Sequence, residues 1–138
     1  MPGTDTDTDG GSRSAAISNL TVRLFSQYTG RGPTRARTYL EEDMVTVVLQ
    51  NILTKAEMTL LEKGREELVL VTRRTFQEVM GPDLIAGIEQ IMQRKVLAFL
   101  SANHVNPDVA VETFLLTPLT EHTPAQQLAS PPTGRPRR

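Results

Sequence analysis

Gly30-Arg31-Gly32-Pro33, followed by Arg35 and Arg37, is the stretch of this sequence whose residue types and spacing could hold a ligand. Glycines let backbone amides come close to an anion, and arginine guanidinium groups grip its oxygens two at a time. Gly30, Arg31, Gly32, Pro33, Arg35 and Arg37 are therefore candidate contacts for a small anion or an acidic partner. The stretch is not a P-loop, because it lacks the G-x-x-x-x-G-K-[ST] spacing and leads into a strand instead of a phosphate-holding helix N-terminus. On the simpler reading, the glycines end a helix and set up a hairpin, and the arginines line its outward face.

The remaining reactive residue types give weaker patterns. Arg73-Arg74 sits in a helical stretch near Phe76, so one of the two must turn to solvent while the other can pair with Glu42, Asp43 or a partner carboxylate. Arg73 is carried as a further candidate contact. Glu41-Glu42-Asp43 has the composition of an acid–base pair or of oxygen ligands for magnesium, but three adjacent acids between two strands read more simply as a solvated turn. Neither His104 nor His122 has partners at a metal-ligand spacing, and no Ser lies in G-x-S-x-G. The absence of Cys closes disulfide, thiolate-zinc, iron–sulfur and thiol-nucleophile chemistry and fits a reducing compartment. The expectation is a non-enzyme with no catalytic residue, metal or cofactor.

Composition narrows the partners. The net charge of −1 gives no field that would gather nucleic acid, and two Tyr, four Phe and no Trp leave few platforms for stacking bases. No segment approaches the ~20 apolar residues that cross a bilayer, and MPGTDTDTDGGSR is the reverse of a secretory signal. A cytoplasmic protein that does not insert into a membrane is expected. Residues 1–13 read as a disordered acidic tail, residues 14–118 as the folded domain, and residues 119–138, with their prolines and arginines, as a second disordered tail.

The elements that must position these residues follow from periodicity. Ile17, Leu20, Leu24 and Tyr28 recur at helical spacing, with Ser14 as N-cap and Gly30 and Pro33 as the stop. Arg35–Glu41 and Met44–Gln50 alternate as a β-hairpin around the acidic turn. Thr54 and Glu57 form a capping box, each satisfying a backbone donor of the other. A long helix follows, its apolar stripe running through Leu61, Leu68, Val71, Thr72, Phe76, Val79 and Met80. Gly64 is its weak point, Gly81-Pro82-Asp83 interrupts it, and Asp83 caps another helix. Val96–Ala102 and Val109–Thr117 are the closing strands. The order α-β-β-α(long, broken)-β-β predicts an α+β fold, a four-stranded antiparallel sheet with helices packed on one face. The other face must then be polar, dimerised or docked.

The combination GRGPTRARTYLEEDMVTVVLQNILTKAE, a helix with Arg73 and Phe76, and IEQIMQRKVLAFLSANHVNPDVAVETFLL resembles the MpsC family, formerly a domain of unknown function. Its pattern runs G-[KR]-G-P, a strand ending near L-T-x-x-E, an R-x-x-[FL] helix and two closing strands. Matching residues are Gly30, Gly32, Pro33, Leu53, Thr54, Glu57, Arg73 and Phe76. Family members often carry a glycine just before the third strand, where this chain has Gln93-Arg94-Lys95. The resemblance implies a soluble accessory component of a sodium-translocating, membrane-potential-generating system linked to cation and inorganic-carbon uptake. It also implies a protein partner such as a membrane transporter subunit and carries over no catalytic residue. Homodimerisation through the exposed sheet face or an edge strand is expected on the residues' own reading. The alternative is a sensor that binds a small anion, bicarbonate or a nucleotide phosphate at Gly30–Arg37.

Overall fold

The computed structural model describes residues 5–119, with side chains from residue 10 onward. In chain order it contains α1 (Asp5–Thr29), β1 (Arg35–Glu41), β2 (Met44–Gln50), α2 (Lys55–Glu62), α3 (Glu66–Met92), β3 (Val96–His104) and β4 (Val109–Leu116). The two hairpins, β1–β2 and β3–β4, join through β2 and β4 into one antiparallel sheet of order β1-β2-β4-β3. The expected α+β architecture and element order are present. The expected C-terminal tail lies outside the described residues except for Leu119.

Strand alternation sorts side chains onto two faces. Val45, Val47 and Leu49 of β2 share one face with Ala110, Glu112 and Phe114 of β4, and all six are fully buried. Onto this face α1 packs Ile17, Leu24 and Phe25, and α3 packs Met80, Leu84 and Ile88. Phe99 of β3 stacks on Phe114 with ring centroids 4.8 Å apart, which adds about 0.5–1.5 kcal/mol beyond the area buried. A smaller cluster under α2 joins Leu53, Val69 and Val105. Tyr28 ties α1 to α3 by donating a 2.5 Å hydrogen bond to Asp83.

Several local features differ from the sequence expectation. Helix α1 runs from Asp5, so residues 5–13 are helical instead of an unstructured tail, and Ser14 lies within the helix instead of capping it. Once Ile17 and Leu24 have docked a helix, adding a turn gains a hydrogen bond per residue without a new nucleation step. The helical break falls at Gly64, not at Gly81-Pro82-Asp83. Gly64 takes φ +78°, and Lys63, Gly64 and Arg65 donate their amides to the last carbonyls of α2. Pro82 costs about 3 kcal/mol inside a helix. Met80, Leu84 and Ile88 flank it, and each contributes about 1.5–3 kcal/mol when fully buried, so packing outweighs the local defect. Asp83 is accordingly mid-helix and does not cap.

The face of α3 is also rotated from expectation. Leu68, Val71 and Val79 are exposed, while Val69, Arg73, Gln77, Met80, Leu84 and Ile88 are buried. Two polar residues on the inner stripe mask its hydrophobic period. At the end of α3, Gln93 takes the left-handed conformation, φ +58°, and its amide donates to the Glu89 carbonyl at 2.8 Å. No described element covers the other face of the sheet, where Arg35, Arg37 and Tyr39 adjoin Met44, Val48, Leu100, Val111 and Leu115.

Candidate functional site

The chain leaves α1 through a tightly built corner. Gly30 takes φ +83°, and its amide donates to the Ser26 carbonyl at 2.9 Å. The Arg31 amide donates to Thr29 Oγ1 at 3.3 Å. Gly32 lies so close to α1 that a Cβ there would sit 2.7 Å from Ser26 Oγ, and Pro33 is buried behind it. These residues fix the Arg31 backbone.

Arg31 lines a cleft of about 570 Å³ between the end of α1, α2 and the β3–β4 loop. Leu53, Met58, Leu61, Val105 and Pro107 form its apolar walls, and Asn51, Glu62, Asn106 and Asp108 its polar positions. Among the described residues the Nε of Arg31 is buried and has no hydrogen-bond partner.

Asp108 stands at the back of the cleft with both carboxylate oxygens engaged. Oδ1 accepts from Arg73 Nη2 at 2.7 Å, and Oδ2 accepts from the Leu53 amide at 2.8 Å. Arg73, only 4% exposed, is therefore a buried brace and not a solvent-facing contact. Its partner is Asp108 in place of the expected Glu42 or Asp43, because α3 carries it over the far end of the β3–β4 hairpin.

Arg35 and Arg37 are separated from Arg31. They lie with Tyr39, Val48 and Gln50 along a groove of about 420 Å³, and the Arg37 guanidinium sits 5.7 Å from the centre of the Tyr39 ring. One contiguous stretch thus feeds two surfaces, with Arg31 in the cleft and Arg35 and Arg37 at the sheet margin.

Residues 10–117 match the family model described as Na+-translocating membrane potential-generating system (MpsC). The chain belongs to the MpsC family. Searches of curated proteins and of solved structures each returned no match.

In this MpsC-family chain the acidic turn is tethered. Arg94 pairs with Asp43, donates to the Glu42 carbonyl at 2.9 Å and also bonds the Thr117 carbonyl. The capping box is formed, with the Thr54 amide donating to Glu57 Oε1 at 2.9 Å and the Glu57 amide to Thr54 Oγ1 at 3.2 Å. Among the described residues no cluster of His, Cys, Asp and Glu could hold a metal ion.

A buried polar network under α3 was not foreseen from sequence. Glu112 is 0% exposed and accepts from Gln77 Nε2 at 2.6 Å and from the Ser101 hydroxyl. Gln77 and Asn103 exchange amide hydrogen bonds at 2.9 and 2.8 Å. Burial pushes the Glu112 carboxyl up to about 7, against the opposing pull of Ser101, Gln77 and the Arg73 charge. The signal was present in the strand, since Glu112 falls in the inward phase with Ala110, Phe114 and Leu116.

Proposed function

We propose that this chain is a non-enzymatic, cytoplasmic accessory domain of an Na+-translocating, membrane-potential-generating system serving cation or inorganic-carbon uptake. It docks through its open sheet face on a membrane-embedded protein component. The observation that carries this reading is the uncovered face itself. An antiparallel sheet with one packed face ordinarily turns polar residues to water on the other. Here Leu100 is 55% exposed and Tyr39 51%, with Met44 and Leu115 also exposed beside them. Moving Na+ requires a path through the bilayer, and among the described residues no helix is long and apolar enough to cross one. Family membership therefore supports a partner that supplies the path. Arg35 and Arg37 give the face a basic margin suited to an acidic rim on that partner.

The test is recovery of partners from detergent-solubilised native cells, using tagged wild type and a Leu100→Lys/Leu115→Lys variant in parallel. The expected result is an integral membrane transporter subunit captured by the wild type and lost with the variant. Recovery of nothing but a second copy of this chain, with a dimer by light scattering, would assign the face to self-association and overturn the membrane-partner reading.

A further inference from the structure

We infer that the cleft beside Arg31 binds a small organic anion, its oxyanion group on the Arg31 guanidinium and its apolar body against Leu53, Met58, Leu61 and Val105. Buried polar atoms in folded proteins nearly always have a partner, and one that does not calls for a physical explanation. Arg31 Nε is such an atom, and it belongs to a side chain that lines the cleft. Among the described residues no carboxylate pairs with it. Asp108 has both oxygens occupied by Arg73 and the Leu53 amide, and Glu62, the other acid of the lining, is exposed and forms no ion pair with Arg31.

The surroundings select an amphipathic ligand over a bare ion. A volume of about 570 Å³ lies in the range of small-molecule sites, and apolar walls with a few placed polar or charged groups are the usual arrangement there. Asn51 and Asn106 supply further polar groups at the rim. The site is also set before any ligand arrives. Gly30 and Gly32 fix the Arg31 backbone, Arg73 locks the Asp108 loop onto α3, and Asp108 holds the Leu53 amide just ahead of α2, which limits the ordering cost of binding. This site is separate from the open sheet face, so its occupancy does not depend on the docking proposal.

The test is NMR titration of the full chain with hexanoate, inorganic phosphate and 1-hexanol, following the Arg31 Nε–H resonance and the methyl groups of Met58 and Leu61. Hexanoate is expected to shift both sets saturably in the millimolar range, phosphate to shift Arg31 more weakly, and hexanol to leave Arg31 unmoved. Arg31→Gln should weaken hexanoate binding about tenfold or more, whereas Arg35→Gln should not change it. Met58→Glu, at an exposed wall position, should also weaken it by placing a like charge beside the ligand, and it remains informative if Arg31→Gln does not fold. Failure of hexanoate to saturate, equal binding of hexanol, or unchanged binding in both Arg31→Gln and Met58→Glu would overturn the inference. Retention of the membrane partner by Arg31→Gln would leave the docking reading standing whichever way the titration falls.

Discussion

A buried carboxyl group contributes to the pH response expected of this domain between about 4.5 and 7. Glu112 has its folded-state pKa raised from 4.5 to about 7 by burial, so the fold favours its protonated form. The native state then holds more protons than the unfolded chain between those values, and stability falls as pH rises through that window. The full contribution is present below the unfolded pKa and is lost above about 7, a difference on the order of 3 kcal/mol. Urea titrations of wild type across this window should show the decline, and Glu112→Gln should remove the part due to this group. Equal slopes in both proteins would contradict the assignment. Position 112 was legible in the sequence as an acid in the inward phase of an alternating strand, but its partners were not. Gln77 and Ser101 reach it from another helix and another strand, and no local pattern announces such meetings. Arg73 and Asp108 likewise meet only through the tertiary fold.

At the level of elements, hydrophobic periodicity and turn chemistry located the strands and the capping box, because both are decided within a few residues. They failed on α3, where Arg73 and Gln77 occupy inward positions and Leu68, Val71 and Val79 face out. They failed again at Pro82, where local rules predict a break and core packing on both sides overrides it. The end of α3 offers a test of backbone strain. Gln93 holds φ +58°, a conformation that a glycine adopts without a Cβ penalty. Gln93→Gly should raise stability by about 1 kcal/mol, read from the denaturant midpoint, with the Glu89 carbonyl bond kept. A loss of stability would mean that the side-chain bond from Gln93 to the Gln90 carbonyl matters more than the strain.

Among the described residues the sheet has one packed face and one open face, and this asymmetry separates stability from association. Leu100 and Leu115 are exposed, so Leu100→Lys/Leu115→Lys should change the unfolding free energy by less than about 1 kcal/mol while abolishing partner capture. A large loss of stability, measured by thermal unfolding, would show that the face is held by contacts within the chain. The α+β class and the order of elements followed from reading the segments in turn. The strand order did not, since the pairing of β2 with β4 bridges the whole of α2 and α3.

That central pairing bears on how the chain is made. As the polypeptide emerges from the ribosome, β1 and β2 can close as a hairpin at once, but β2 must wait for β4, which is almost the last part of the domain to appear. Until then β2 presents an unpaired edge beside Val45, Val47 and Leu49, a template on which another nascent chain could add a strand. Closing the long intervening loop is entropically costly before any contact rewards it, so completion of the sheet is expected to be the slow step of folding, which stopped-flow refolding would check. Any truncation that removes β4 leaves β2 and β3 both without their shared neighbour and divides the core in two.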